Sequence, residues 1–385
     1  MKKFKIIFAN RKDCFEKPGG DTVQMTKTKE YLEKNHPVEV VVCTNPDDFE
    51  KYPDAKIVHI FNLQTVNESK KFIEKAKTLN KATFLSTIYW NLLDSYYVKY
   101  LRFLNINPIQ VNDFFKKVLI ISFNIGILCI PFLKNKFKKY VDKGLFGTKK
   151  YVDLRRDVLL EADYLLPNSD EELEFCSKDF NIPLEKIKSK SVVVPNAVEY
   201  HELKESKDFN LPEKYVVTAG RISVEKNQLN TLKALYDYPE IGVVFVGNVE
   251  DKAYYDAIKK IADKRGNVFF ISHINQQELF SIFKNSICHV LPSYRESPGL
   301  VSLETLSQGK NIVVSNEKYC PTKYYEFDKY AEICNPYSPK SIRDAVFNVI
   351  KNNNSVKISD DYLYKISYDN VAKITFEAYT KYLNS

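Results

Sequence analysis

The sequence predicts an α/β protein of two parallel-sheet domains. Three observations carry this. β-branched runs alternate with amphipathic helical stretches in both halves of the chain, 385 residues exceed what one hydrophobic core comfortably fills, and two glycine-bearing, charged motifs directly follow strands. Open α/β sheets bind ligands beyond the carboxyl ends of their strands, so the motif positions and the sheet architecture agree.

In the first half, apolar runs predict strands at Phe4 to Ala9, Val38 to Cys43, Ile57 to Phe61 and Ala82 to Ser86. Helices at Thr22 to Lys34 and Ser69 to Leu79 separate them, which makes parallel β-α-β winding the natural arrangement. The second half repeats the pattern. Strands are expected at Tyr215 to Thr218, Val243 to Val246, Val268 to Ile271, His289 to Pro292 and Asn311 to Val314. Helices are expected near Asn227 to Tyr236, Ala253 to Arg265, Gln276 to Lys284 and Leu300 to Gln308, with a last helical stretch from Tyr364 to Tyr382. No Gly-x-Gly-x-x-Gly follows any strand, which disfavours a dinucleotide dehydrogenase.

Two motifs carry chemistry. In Ser293-Tyr294-Arg295-Glu296-Ser297-Pro298-Gly299-Leu300-Val301-Ser302-Leu303-Glu304, two carboxylates bracket a Pro-Gly turn. Glu296 is placed in the loop and Glu304 one turn inside the helix that follows. Between them lie the free N–H groups of a helix N-terminus, which attract phosphate. A ligand with hydroxyl-rich ends and a phosphate middle, such as a nucleoside diphosphate sugar, suits that spacing. The second motif, Gly220-Arg221-Ile222-Ser223-Val224-Glu225-Lys226-Asn227, follows a β-branched run with a glycine and two cations able to neutralise a diphosphate. The bland alternatives are solvated acids and a surface cation pair, both common in soluble proteins.

Together these elements resemble the family-four retaining glycosyltransferases of the GT-B fold. The resemblance rests on Gly-Arg-x4-Lys, on Glu-x7-Glu with its Pro-Gly-Leu-Val interior, and on the junction Val193-Val194-Pro195-Asn196-Ala197-Val198. Ala162 to Ser169 and the loop Pro18-Gly19-Gly20-Asp21 after the first strand extend it, whereas Asn105 to Lys150 matches weakly. The resemblance implies two Rossmann-like domains facing each other across a cleft: an acceptor-binding domain at 1–195 with an apolar and basic insertion at about 105–150, and a donor-binding domain at 196–363, the C-terminal helix of 364–385 returning to the first. It further implies that Glu296, Arg221 and Lys226 are catalytic, and that Gly19, Gly20, Arg221, Lys226, Glu296, Gly299, Leu300, Val301 and Glu304 bind the donor. Glu304 would hold ribose.

By the same resemblance the reaction moves a sugar from a UDP- or GDP-sugar to a glycan or lipid-linked glycan acceptor, with retention and without metal or other cofactor, in bacterial surface polysaccharide biosynthesis. The absence of an Asp-x-Asp metal site is consistent with this. Many relatives carry a histidine after the fourth strand; here that stretch is Phe84-Leu85-Ser86-Thr87-Ile88-Tyr89-Trp90-Asn91, with Tyr89 at the place in question. Tyr89 cannot serve as an ordinary neutral-pH base, and Trp90 is expected to pack the core. A nucleotide-sugar-binding protein or an epimerase acting without acceptor transfer is the alternative of a different class.

The remaining composition is permissive. With 57 basic and 49 acidic side chains the net charge is +8, compatible with an anionic donor or a membrane surface alike. Seven cysteines without a Cys-x-x-Cys pair, and five histidines not clustered with them, argue against zinc and against a disulfide framework, and point to a reducing, cytoplasmic compartment. The N-terminal apolar run is too short for a secretory signal and reads as the first strand. The segment Val118 to Leu133 would span about 24 Å as a helix, short of the roughly 30 Å hydrocarbon core. It precedes Lys134, Lys136, Lys138, Lys139 and Lys143, interleaved with aromatics. Two readings stand for 118–143: a segment lying on the cytoplasmic face of an anionic membrane, or a buried helix followed by a solvated basic face. Nucleic acid is disfavoured, because the lysines are not matched by arginines and no binding module is present.

Overall fold

The structure, a computed structural model, describes residues 3–200, 209–272, 274–352 and 356–384, with the Lys139 side chain outside that description. Two compact units emerge. The first comprises the described residues up to Asn91, Ile120–Ala197 and those from Tyr364 onward; the second comprises Leu92–Leu119 and the described part of Val198–Leu363.

The first unit is built on strands β1 (Phe4–Ala9), β2 (Val38–Cys43), β3 (Ile57–Phe61), β4 (Ala82–Ser86) and the short β5 (Tyr164–Leu165). All pair in parallel in the order β2-β1-β3-β4-β5, with Phe4 opposite Val38, Ile6 opposite Ile57 and Phe84 opposite Tyr164. β3 and β4 are buried on both faces, which is why their sequences are near-continuous apolar runs. The helix Gly20–Asn35 and the C-terminal helix Tyr368–Leu383 lie together on one face; Met25, Leu32, Val371, Ala372 and Tyr379 share a core with Ile6, Phe8 and Phe84. His59 is swallowed in this layer between the hydroxyls of Tyr379 (2.5 Å) and Ser86 (2.8 Å), and burial pushes it down to about 3. It is a neutral core histidine. Because β1 lies between β2 and β3, the chain reverses its direction of travel across the sheet there, and the Gly19-Gly20 loop leaves the carboxyl end of this switch strand.

The second unit holds β6 (Tyr215–Ala219), β7 (Gly242–Val246), β8 (Val268–Ile271), β9 (His289–Leu291), β10 (Ile312–Ser315) and β11 (Ala331–Cys334). They are parallel in the order β11-β10-β9-β6-β7-β8. Here the switch point falls between β6 and β9, where Val217 pairs with His289. The two motifs singled out in the sequence are the loops leaving exactly these two strands, so the topology brings together segments separated by some seventy residues.

The division of the chain differs from the sequence expectation in one respect: Leu92–Leu119, expected within 1–195, groups with the second unit. The cause is polar. Lys116 Nζ, almost wholly buried, bonds Asp94 Oδ1 at 2.6 Å, and the Tyr337 hydroxyl donates to the same oxygen at 2.6 Å. Lys318 pairs with Asp113 at 2.5 Å, and the Asn335 amide donates to Gln110 Oε1 at 2.9 Å. These bonds fasten the helix Leu93–Phe103 and the start of Asp113–Cys129 to the loop after β10 and the turn after β11. The C-terminal helix, by contrast, groups with the first unit.

Candidate active site

In the second unit β6 ends at Gly220, whose φ of +146° suits a residue without a side chain. The loop then closes on itself and on its neighbour. Gln228 Nε2 donates to Arg221 O at 3.0 Å, while Asn227, in the left-handed conformation, donates from its amide to Pro292 O (2.9 Å) and Pro336 O (2.7 Å). Tyr294 N donates to Glu225 O at 2.9 Å. The loop after β6 is thereby stitched to the loop after β9, and this stitching sets the position of Lys226.

Lys226 Nζ forms an ion pair with Glu296 Oε1. Glu296 is 8 % exposed, and its backbone N–H donates to Tyr319 O at 2.7 Å, which holds the loop inward. Three residues on, Gly299 adopts φ +94° and packs against this carboxylate: a Cβ there would lie 3.3 Å from Glu296 Oε2 and 3.1 Å from Leu291. Glycine is required twice over, by conformation and by space. Gly299 then caps the helix Leu300–Ser307, and its carbonyl accepts from Ser302 N at 3.0 Å. The N–H groups of Leu300 and Val301 consequently have no intrahelical acceptor, as at any helix start, and the turn presents donors of the kind that bind phosphate oxygens. Glu304 sits one turn inside this helix, partly exposed, and burial pushes its carboxyl up to about 7.

The structure therefore joins Lys226, Glu296 and Gly299 in direct contact and carries Leu300, Val301 and Glu304 on the adjoining helix. Arg221 stands apart from them: its exposed guanidinium pairs with Glu250 at 3.1 Å. Gly19 and Gly20 belong to the first unit. There Gly19 caps the first helix, and Arg11 braces the loop by donating to Asp21 Oδ2 (2.9 Å) and Lys17 O (2.6 Å).

Sequence reasoning missed Glu225, Ser95, Lys99 and the role of Arg295. The Glu225 side chain is 14 % exposed and its carboxylate meets Lys99 Nζ at 2.7 Å, Arg295 Nε at 3.9 Å and the Ser95 hydroxyl. Burial alone would raise it, yet the Lys99 and Arg295 charges and these hydrogen bonds bring it well below the usual carboxylate range. Only its place beside Lys226 hinted at this. Also missed was Glu172 in the first unit, which accepts from the Thr87 hydroxyl, Tyr89 N (2.9 Å) and Asn168 N (3.2 Å) and so fixes the loop after β4. In that loop Ile88 has φ +45°, an uncommon conformation for a β-branched residue. Tyr89 is buried, its hydroxyl donates to Asp179 at 2.8 Å, and burial raises it well above the usual phenol value. Trp90 is likewise core, edge-on to Phe175 with ring centroids 4.5 Å apart. Among the described residues no group of three or more His, Cys, Asp or Glu is arranged to hold a metal ion.

Two parallel-sheet domains with this strand order define a GT-B protein, and solved structures agree. The chain superposes on Anabaena HepE, solved in complex with UDP and glucose, at a TM-score of 0.65 over 98 % of this chain and 99 % of that one, with 12 % identity. Residues 199–365 match the family described as glycosyl transferases group 1. Among curated proteins it is 25 % identical to an uncharacterized glycosyltransferase of Methanocaldococcus jannaschii over 43 % of this chain and 45 % of that protein. It is 31 % identical to the sulfoquinovosyl transferase of Arabidopsis thaliana over 35 % of this chain and 26 % of that enzyme. The matches thus span less than half the length of these curated relatives.

Proposed function

We propose that the chain is a retaining glycosyltransferase that moves a sugar from a nucleoside diphosphate sugar to a glycan or lipid-linked glycan acceptor. The Lys226–Glu296 pair at the β6/β9 switch point carries the reading. As the glycosidic bond to phosphate breaks, negative charge grows on the departing diphosphate. Lys226 and the N–H groups of Leu300 and Val301 meet that charge, supplying the electrostatic stabilisation that a preorganised site contributes most effectively. Glu296 accepts hydrogen bonds from the donor sugar, and Glu304 accepts them from the ribose diol. Arg221 reaches the diphosphate by exchanging Glu250 for it, an exposed pairing that costs little to break. Metal-independent reaction is supported by assigning leaving-group stabilisation to these cations and amides; retention is proposed through front-face attack, in which the acceptor hydroxyl bonds the anomeric carbon on the face the diphosphate leaves and the departing phosphate takes its proton. A UDP donor is favoured by the likeness to a structure holding UDP and glucose. Incubation with UDP- and GDP-sugars and isolated glycolipid acceptors, in EDTA, tests the reading: a product with the donor's anomeric configuration supports it. Donor interconversion without acceptor would favour the epimerase alternative.

The Glu304 assignment has a pH signature. A carboxyl near 7 is about one-tenth ionised at pH 6 and about nine-tenths at pH 8, so affinity for a nucleotide sugar rises about tenfold across that interval. Calorimetric titration of wild type and Glu304→Gln checks this, the variant showing a flat profile. The folded carboxyl holds its proton above the usual 4.5, so this group's contribution to stability is lost as pH rises toward 7.

A lipid-linked acceptor of surface polysaccharide assembly is supported by the surface of the helix Asp113–Cys129 and the turn after it. Ile120, Asn124 and Ile127 are buried, whereas Ile121, Ile125 and Leu128 form an exposed stripe at helical spacing, 48, 57 and 53 % accessible respectively, and Phe132 on the next short helix, Pro131–Lys136, is 68 % accessible. Only one side of the helix is covered. Lys134, Lys136 and Lys138 lie exposed immediately beyond it. Among the described residues no helix is long and apolar enough to cross a membrane. An apolar stripe beside lysines suits the surface of an anionic bilayer, where each inserted aliphatic side chain contributes roughly 1.5–3 kcal/mol on full burial and each lysine about 1 kcal/mol. Wild type is expected to co-sediment with phosphatidylglycerol-containing vesicles and not with phosphatidylcholine alone. Ile125→Glu combined with Leu128→Glu should lower that binding at least tenfold; unchanged sedimentation would remove the membrane role.

A further inference from the structure

The two loops of the site are bridged twice, with the charges reversed. Glu225 and Lys226 are consecutive on the loop after β6, and Arg295 and Glu296 are consecutive on the loop after β9. Lys226 pairs with Glu296, while Glu225 faces Arg295 at 3.9 Å and is held from its other side by Lys99 at 2.7 Å and by Ser95. Arg295 Nε is buried without a hydrogen-bond partner, so the charge of Glu225 is its visible compensation. If Glu225 loses its charge, the carboxylate nearest to Arg295 in the chain is Glu296. The Arg295 side chain is 23 % exposed with its Nε inaccessible, so losing its counter-charge is costly, and capture of Glu296 relieves that cost.

We propose that Glu225 is a positioning residue that engages Arg295 and so leaves Glu296 to Lys226. It touches no substrate in this account. The catalytic part of the inference rests on the transferase reading, whereas the pairing itself does not, and the two are separable by experiment. Lys226 loses its partner only when Arg295 captures Glu296, but Lys99 loses its partner whenever Glu225 is neutralised.

Amine-selective labelling of the full chain, resolved by peptide mass spectrometry, reads this directly. In Glu225→Gln, labelling of both Lys99 and Lys226 should rise severalfold; in Glu225→Gln/Arg295→Gln, Lys99 should remain elevated while Lys226 returns to the wild-type level. Lys226 labelling unchanged in the single variant, or elevated equally in both, overturns the proposal. General loosening of the fold produces the second of these patterns. Transfer rates then test the consequence. Turnover falls at least tenfold in the single variant, with the nucleotide dissociation constant little changed, and recovers several-fold in the double variant. A double variant no better than the single also contradicts the proposal. A wild type that transfers no sugar would sink the transferase reading and leave the labelling result standing.

Discussion

Lys226→Ala and Glu296→Gln each lower sugar transfer by about 10²- to 10³-fold, the scale on which a single preorganised electrostatic contact acts in a transition state. The reasons differ. Lys226 meets charge that develops only as the diphosphate leaves, so its loss appears chiefly in turnover. Glu296 orients the donor sugar, so its loss appears in turnover and in donor affinity together. The variants are not additive, because each leaves its partner without its counter-charge: the double variant is expected to transfer at about the rate of the slower single one. Lys226→Ala also strands the buried Glu296 carboxylate, at a cost of roughly 1–3 kcal/mol in stability, whereas Glu296→Gln keeps the shape of the site. Steady-state kinetics well below the melting transition, with circular dichroism on the same samples, check the pair. Activity within threefold of wild type in either variant removes these roles.

Asp94→Ala is the largest expected loss of stability. Asp94 is nearly inaccessible and is the buried carboxylate that bonds Lys116, equally buried, at 2.6 Å, the half-exposed Asp113 standing farther off at 3.6 Å; Tyr337 donates to Asp94 as well. Burial, and next the charge of Asp94, push the Tyr337 phenol well above its usual value, so it stays a donor. Removing one partner of a buried pair leaves an uncompensated charge and costs roughly 3–5 kcal/mol, whereas replacing both by apolar groups is often nearly neutral. Thermal unfolding is therefore expected to show a sharp drop for Asp94→Ala and substantial recovery in Asp94→Ala/Lys116→Met. The single variant also loosens the helix Leu93–Phe103, which brings Ser95 and Lys99 to Glu225, so its activity falls further than distance from Glu296 alone suggests. A single variant as stable as wild type would contradict this view of how residues 92–119 are held.

What the sequence made legible follows from burial. Strands such as Ile57–Phe61 and Ala82–Ser86 are covered on both faces, so their apolar runs mark their bounds closely. The edge strand Ala331–Cys334 escaped notice because it is half-solvated and carries Glu332 in its middle. The motif acids and lysine were visible as residue types at suggestive spacings, but their contact was not: Lys226 and Glu296 lie seventy positions apart and meet only because β9 returns to the side of β6. The grouping of Leu92–Leu119 with the second unit was illegible for a related reason. It depends on Asp94, Lys116 and Tyr337, and a buried polar cluster leaves no periodicity in the sequence. Arg221 differs in that its exposed side chain pairs with Glu250, a partner that the five-residue spacing from Lys226 did not indicate.

In the proposed function Lys226, Glu296, the start of the helix Leu300–Ser307 and Glu304 form a donor site for a nucleoside diphosphate sugar without a metal ion. Calorimetric titration of UDP, GDP and their common sugar conjugates into wild type and Glu304→Ala, with EDTA present, tests it most directly. One nucleotide is expected to bind wild type with its affinity intact in EDTA and to bind the variant at least tenfold more weakly. Absence of binding by every nucleotide, or equal affinity in the two proteins, would contradict it.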